Sequence, residues 1–205
     1  TNLGTVLLLA PLASVARDQP LRAGIASVLS ALAPSDTAAI YEAIRVACPG
    51  GMGQVAEMDI AAPSPESIVE AMRFAAERDL VARQYTNEFA TVFEEVVPAL
   101  VVGPERGWSL SDTIIQTQLQ LMSRFPDSLI ARKCGPRVAH DSARRAARVL
   151  ESGTPQSERY FQALGDFDFW LRSVDHRRNP GTTADLIAAG LFVALREALI
   201  APPYR

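Results

Sequence analysis

The chain has 205 residues, of which 48% are hydrophobic, so it can bury a full core and is most simply one domain. Its formal net charge of −3 excludes the basic footprint that is typical of nucleic-acid-binding proteins. No apolar run reaches the roughly 18–20 residues that a membrane span needs. Cys48 and Cys134 lie far apart, and His140 and His176 lack zinc-binding spacing, which indicates a cytoplasmic protein with reduced thiols and no zinc site.

The start of the chain is unusual. Thr1 is not an initiator Met, and an apolar helical stretch follows at once. A native protein rarely opens with its core, so we expect that an upstream segment precedes Thr1 in the whole protein. Residues 1–205 would then be the C-terminal, larger part of a longer chain.

Apolar residues recur at helical spacing nearly everywhere, and we find no βαβ alternation and no repeat of fixed period. The sequence therefore predicts an all-α fold: a single globular domain over 1–205, built from many helices around a buried central helix. Residues 3–15 are apolar on every face and should be buried. The expected helices of the first half are 3–15, one from Asp18–Pro20, one capped by Ser35 or Asp36, one from Pro65 to about Tyr85 and one from Thr86 to about Leu100.

The helices expected in the second half are bounded by clear capping and stop residues. Within the first half, the run from Pro49 to Ser64 is expected to be the longest irregular segment. More than half of all residues should be helical. The later helices are expected from Ser109 or Ser111 to Phe125, from Ser128 to Cys134, from Pro136 to Ser152, within 156–173, and from Thr182 to a point before Pro202.

The most informative motif is the Pro-Gly turn before the last helix, Asn179 to Gly190. A helix start carries unpaired N–H groups and the positive end of a dipole, which suits phosphate. Asp185, one turn in, is placed to hold a divalent cation that accompanies the phosphate. The alternative is that Thr182 or Thr183 only caps a buried helix and that Asp185 only enriches its first turn.

Two further polar segments interrupt the apolar pattern. In the first, Asp79 and Arg83 are four residues apart and share a helix face, either as a solvated ion pair or turned inward with Arg83 on a phosphate. In the second, Asp127 and Ser128 start a helix that ends with Arg132 and Lys133, the only lysine in the chain. A single retained lysine suggests a place where a compact ammonium group is needed, although these residues also suit plain helix capping.

Four ordered segments resemble blocks of the triphosphoribosyl-dephospho-CoA synthase family. They are Thr1-Asn2-Leu3-Gly4, Glu77-Arg78-Asp79-Leu80, Pro126-Asp127-Ser128 with Arg132-Lys133-Cys134-Gly135, and Asn179-Pro180-Gly181 through Asp185. The family's upstream Lys-Pro-Gly-type block is absent, and Thr182-Thr183 departs from the small residues of the citrate-lyase branch. The chain therefore resembles a divergent branch, which leaves the acceptor open.

The resemblance implies an all-helical, magnesium-dependent enzyme. Such an enzyme transfers the triphosphoribosyl unit of ATP to the ribose hydroxyl of 3′-dephospho-CoA and releases adenine. The reaction passes through an oxocarbenium-like centre that a carboxylate stabilises. The resemblance implies that Asp127 and Asp185 hold magnesium and that Asp79, and also Asp127, act in catalysis. Arg83, Ser128, Arg132 and Lys133 would bind phosphates. The helix starts Asn2–Gly4 and Gly181–Thr183 would be anion cradles, with Asn179 as a further binding residue. Glu57 and Asp59 form a reserve carboxylate pair.

Three alternatives stay open at this point. The pentosyl group could go to a different cofactor precursor. The Gly-Thr-Thr-Ala-Asp start is also similar to the metal motifs of helical ADP-ribosylglycohydrolases, although Asp185 lacks the neighbouring Asp of those motifs. The third alternative is a helical binding module without catalysis. We expect ATP and a dephospho-CoA-like acceptor as partners, neither nucleic acid nor a membrane, and we leave homo-oligomerisation open.

Overall fold

The computed structural model describes residues 2–47 and 60–202, and within these ranges it contains helices and no strand. Helices make up 72% of the structure, which confirms the predicted all-α class. The elements are α1 Leu3–Ser14, α2 Leu21–Ser30, α3 Pro34–Ala47, α4 Ile68–Ala75, α5 Leu80–Thr86, a π-helical segment Val92–Val96, α6 Val97–Glu105, α7 Leu110–Arg124, α8 Ser128–Cys134, α9 Pro136–Glu151, α10 Glu158–Arg172 and α11 Gly181–Arg196.

Helix boundaries in the second half follow the local signals closely. Ser109 caps α7 by accepting a hydrogen bond from the N–H of Asp112. Asp127 caps α8, and α8 ends at Gly135, whose φ of +91° is costly for residues with a Cβ. Caps and glycine stops act within one turn, so they can be identified from sequence alone.

The prediction of one long helix from Pro65 to about Tyr85 is wrong. Ser67, rather than Ser64, caps α4, which ends at Ala75. The chain then turns, and α5 begins after Asp79, whose side chain accepts hydrogen bonds from the N–H groups of Val81 and Ala82. An N-cap residue is not helical, so Asp79 and Arg83 do not form the predicted pair on one helix face.

The prediction of a helix from Thr86 to about Leu100 is also wrong for the residues just after Thr86, which are not helical. Glu88 and Phe89 have left-handed φ values of 55° and 61°, and the Phe89 side chain is fully buried. A π-helical segment follows and runs directly into α6. Burial of the Phe89 ring against the core offsets the conformational cost of this turn, an effect that helical periodicity does not reveal.

The buried central helix exists, but it is α11 rather than the stretch 3–15. In α1 only Leu8, Pro11 and Leu12 are buried, and Val6 is 58% exposed. Half of α11 is buried, and this helix contacts α1, the π-helical segment, α5, α6, α7 and α8. The consequence for function is that the first turn of α11 lies beside the starts of α1, α5 and α8.

The apolar residues form two core clusters. One surrounds α1, α5, α6 and α11, and the other lies between α7, α8, α9 and α10. In the described part of the chain no single helix is long and apolar enough to cross a membrane. Taken together, the bent pair α2 and α3 has the length and apolar composition of a membrane span, and nothing beyond length and composition suggests one.

Candidate active site at four helix starts

Asp127 joins the starts of α8 and α11. Its Oδ1 accepts hydrogen bonds from the N–H groups of Leu129 and Ile130 at 2.9 and 3.0 Å. Its Oδ2 accepts both the N–H and the hydroxyl of Thr183, each at 2.8 Å. One carboxylate therefore caps its own helix and, across 56 residues of sequence, the last one.

This arrangement changes the predicted role of Asp127. The residue is 1% exposed, and four donors already occupy its two oxygens. Burial raises the pKa of this carboxyl above its ordinary value, and the hydrogen bonds from Thr183, Ile130 and Leu129 offset only part of that rise. Because all four partners are donors, the site matches an ionised carboxylate. The structure thus gives Asp127 a positioning role and leaves it no oxygen lone pair directed at a magnesium ion, contrary to the expectation.

Ser128 ties α5 into the same junction. Its Oγ accepts the N–H of Leu80, the first residue of α5, at 3.3 Å and donates to Oγ1 of Thr182 at 3.0 Å. Ser128, Thr182 and Thr183 are all buried. Their hydroxyls hold three helix starts together, so they do not form the open phosphate cradle predicted at Gly181–Thr183. The anion that the structure places at the start of α11 is Asp127 itself.

Asp79 faces Arg132 rather than Arg83. Nη1 of Arg132 lies 3.0 Å from Oδ2 of Asp79, and the two side chains are 25% and 23% exposed. The Nε of Arg132 is buried and has no hydrogen-bond partner. Arg83 instead donates its Nε to the carbonyl of Ala76. Because both side chains are partly exposed, the Asp79–Arg132 pair is accessible from solvent.

Asp185 lies against the start of α1. Oδ1 accepts the hydroxyl of Thr5 at 2.6 Å, across 180 residues of sequence. Its Oδ2 lies over Gly4, where a Cβ would come within 2.0 Å of this oxygen. Gly4 is therefore needed for the close approach of α1 and α11. This packing accounts for the glycine that we had interpreted as part of an anion cradle.

The charge around Asp185 is concentrated. Burial raises the pKa of this carboxyl, the hydrogen bonds from the hydroxyl and N–H of Thr5 lower it, and the charges of Asp127 and Asp79 raise it further. We refer to Asp79, Asp127 and Asp185 as the carboxylate cluster. Among them, Asp185 is half-buried, and the negative charge of its neighbours favours a cation beside it.

Other predicted site residues are placed as follows. Asn2 is exposed at the start of α1, and its side chain makes no capping bond. Asn179 is also exposed, and Gly181 packs so closely on Leu129 that a Cβ would lie 2.6 Å from Cδ2 of that leucine. Glu57 and Asp59 lie outside the described residues. No group of three or more His, Cys, Asp or Glu side chains is arranged to hold a metal ion in ranges 2–47 and 60–202.

Lys133 makes no bond to Asp79, Asp127 or Asp185 in the described part of the chain. It borders a surface cavity of ≈ 250 Å³ lined by Lys133, Cys134, Val138, Val174, Arg177 and Arg178, called the cationic cavity below. Consecutive helical residues point about 100° apart, so Arg132 and Lys133 start from different faces of α8. The starts of α1, α5, α8 and α11 thus meet around Asp79, Asp127 and Asp185, and Lys133 is not part of this group.

Thr5 is the site residue that the sequence did not reveal. Its hydroxyl does not belong to a recognisable local motif, and the carboxylate that accepts its hydrogen bond is 180 residues away in sequence. The only signal is its place next to Gly4 in the Thr-Asn-x-Gly segment. Such a signal identifies the turn and not the partner.

Comparisons with known proteins agree on one family. A family model described as ATP:dephospho-CoA triphosphoribosyl transferase matches residues 1–202. The crystal structure of an Archaeoglobus fulgidus protein, named as a triphosphoribosyl-dephospho-CoA synthase, superposes with a TM-score of 0.72 at 25% sequence identity. The match covers 98% of this chain and 83% of that one. No curated protein matches this sequence.

Proposed function

We propose, from the premise that the chain belongs to the ATP:dephospho-CoA triphosphoribosyl transferase family, that the carboxylate cluster with Arg132 forms the catalytic site. The protein is an enzyme of this family and transfers the triphosphoribosyl group of ATP to dephospho-CoA. The observation that carries the site proposal is the meeting of Asp185, Asp79 and Arg132 at four helix starts that are distant in sequence.

The reaction sets clear demands on the site. The bond between C1′ of the ATP ribose and adenine breaks, and a bond from C1′ to a ribose hydroxyl oxygen of the acceptor forms. The hydroxyl gives up its proton, and adenine leaves with one, so the overall change balances. Positive charge develops at C1′ and is stabilised by a negative side chain nearby.

Asp79 fits the stabilising role best. Its carboxylate is fixed by two backbone N–H groups and by Arg132, so its orientation is set before the substrate arrives. Arg132 uses Nη1 on Asp79 and its side chain is partly exposed, so its other terminal nitrogen can donate to a phosphate oxygen. In this arrangement Arg132 orients Asp79 and contacts the donor's phosphates.

Asp185 is our choice for the magnesium ion that would accompany the triphosphate. Magnesium is usually bound through one or two carboxylates together with phosphate oxygens, so one half-buried Asp with neighbouring negative charge fits the ion. When bound, magnesium neutralises part of the triphosphate charge. Asp127 is retained only as the residue that positions α8 and α11.

An assay of adenine release tests this assignment. The purified enzyme is incubated with ATP, magnesium and dephospho-CoA, and free adenine is followed by chromatography. We expect Asp79→Asn and Asp185→Asn each to lower kcat/KM by about 10²-fold or more, because a lost transition-state charge partner costs several kcal/mol. Asp168→Asn is the control, since Asp168 is exposed and pairs with Arg172 on α10.

The outcomes of the assay separate the alternatives. Activity in both variants equal to that of Asp168→Asn would refute the proposed site. Adenine release with another ribose-bearing acceptor only would indicate a different pentosyl transfer. Release of ribose from ADP-ribosylated substrates without consumption of ATP would indicate a hydrolase, and the absence of nucleotide binding would favour a binding module.

The remaining expectations also stay predictions. They are a cytoplasmic location, the absence of nucleic-acid and membrane partners, and homo-oligomerisation as an open alternative. Cell fractionation and light scattering of the purified enzyme measure the first and the last.

A further inference from the structure

The cationic cavity lies at the C-terminal end of α8, whereas Asp127 caps the N-terminal end and Arg132, next to Lys133, bonds to Asp79. Its charged walls come from Lys133 on α8 and from Arg177 and Arg178, which precede α11. The two ends of α8 are about 10 Å apart, because a seven-residue helix rises 1.5 Å per residue. A single extended ligand can therefore reach both places.

Two of the three cations are fixed in position without the help of a carboxylate. Nη2 of Arg177 donates to the carbonyl of Lys133 at 2.8 Å. Nη1 of Arg178 donates to the carbonyl of Trp170 at 2.8 Å and to Oγ of Ser173 at 2.9 Å, and its guanidinium stacks on the Trp170 ring at 4.2 Å. Such fixed guanidinium groups bind an anion at little entropic cost.

Lys133 completes the charged surface. Its ammonium group makes no hydrogen bond or ion pair with any residue in the described part of the chain. No acidic residue lines the cavity, so up to three positive charges face one space of ≈ 250 Å³. Like charges held together in this way repel each other, and a bound anion would relieve that repulsion.

We propose that the cationic cavity binds the diphosphate group of the acceptor, dephospho-CoA. This inference rests on the proposed function, since it takes the acceptor from there. The volume suits a fragment of the acceptor, because pockets for whole drug-sized ligands measure about 300–1,000 Å³. Val138 and Val174 supply an apolar wall on which the pantetheine arm next to the diphosphate can lie.

The acceptor fits this cavity better than the donor does. The triphosphate of ATP brings a magnesium ion, which needs carboxylate oxygens, and the cavity lining has none. Asp79, Asp127 and Asp185 are not among the residues that line the cavity. A diphosphate diester has two negative charges and needs only cationic donors, which are what this cavity offers.

The test uses Lys133→Met, which keeps an apolar chain of similar length and removes the charge. We expect the KM for dephospho-CoA to rise by about tenfold, the equivalent of ~1.4 kcal/mol, while the KM for ATP changes by less than about twofold. The rise should vanish with an adenosine acceptor that has no diphosphate. Arg144→Met on α9, an exposed residue paired with Asp141, is the matched control and should change neither KM.

Each contrary result overturns the inference. A rise in the KM for ATP alone would place the donor's triphosphate in the cavity. If the KM values for both substrates were unchanged, the cationic cavity would not be the binding site of the acceptor's diphosphate. If the wild-type enzyme released no adenine, the proposed function would fail, and calorimetric titration of dephospho-CoA into wild type and Lys133→Met would still decide the cavity: equal dissociation constants would refute it.

Discussion

At the scale of single residues, the site depends on how near two side chains can come. Asp185 reaches Thr5 only because Gly4 has no Cβ. The oxygen Oδ2 of Asp185 occupies the space where that Cβ would be, so the glycine fixes the position of the carboxylate. Conformational freedom of Gly4 is not involved, because the residue is helical.

The variant Gly4→Ala should displace Asp185 and lower kcat/KM for magnesium-ATP by about tenfold or more, because small misplacements of a reacting group are costly. Gly165→Ala on α10 is the matched control, since nothing lies within 4 Å of its Cβ position. In an exposed helix interior that change should stabilise the protein by ~0.5–1 kcal/mol and leave the kinetics unaltered. Equal kinetics of the two variants would contradict the role given to Gly4.

Asp185 also makes the stability of the enzyme depend on pH. Burial, together with Asp127 and Asp79, raises its pKa in the folded state. The folded state therefore binds the proton more tightly than the unfolded state does. This contribution to stability is complete below the unfolded pKa and is lost as the pH rises through the folded pKa.

We expect the difference in melting temperature between Asp185→Asn and wild type to shift in favour of the variant as the pH rises from 4 to 7.5. Both are measured without divalent cations. The amide has no proton to lose, so the variant lacks this part of the decline. Asp18→Asn, at an exposed position before α2, serves as the control for general charge effects. A difference between wild type and Asp185→Asn that is independent of pH would contradict the predicted burial cost.

At the scale of helices, one carboxylate and one hydroxyl assemble three helix starts. Asp127 caps α8 and α11, and Ser128 joins α5 to α11 through Leu80 and Thr182. Each helix start has backbone N–H groups without partners in its own helix. Here the N–H groups of one helix start are partly satisfied by side chains of another helix, so the three helix starts stabilise one another.

The variant Asp127→Asn should therefore lower the free energy of unfolding by more than the loss of an ordinary helix cap does. Its amide group would point an N–H toward either Thr183 or the two N–H groups of α8, which leaves buried donors unpaired. We expect a loss of about 2–4 kcal/mol in the free energy of unfolding, or roughly 5–15 °C in melting temperature.

Asp36→Asn is the matched control for this experiment. Asp36 is exposed and accepts a single hydrogen bond, from the N–H of Ala33. Its loss should cost about 1 kcal/mol or less. Chemical denaturation of both variants measures the two values, and a loss at Asp127 no larger than at Asp36 would show that the junction is not held by this carboxylate.

At the scale of the whole molecule, the sequence predicts helices better than it predicts their contacts. The bounds of α7, α8 and α9 follow from Ser109, Asp127, Pro136 and nearby glycines, which act within one helical turn. The break before α5 was missed because a run of alternating charges looks the same in a helix and in a turn. Likewise, nothing local distinguishes α11 from α1 as the central helix, because both are apolar.

The candidate site shows the same limit. The sequence identified Asp79, Asp127, Arg132 and Asp185, since a polar residue in an apolar helical pattern needs a reason. It could not assign their partners, because the contacts that define their roles span 53 to 180 residues. Helical geometry, however, could have separated Arg132 from Lys133 at the outset, as neighbouring residues on a helix point in different directions.

A crystal structure with a non-reactive ATP analogue and Mn²⁺ in place of Mg²⁺ tests the central claim most directly, because the anomalous signal of Mn²⁺ locates the metal. We predict a single metal peak within about 2–2.5 Å of a carboxylate oxygen of Asp185, with the triphosphate beside Arg132 and the ribose C1′ facing Asp79. A metal peak and triphosphate in the cationic cavity at Lys133, with Asp185 still bonded only to Thr5, would contradict it.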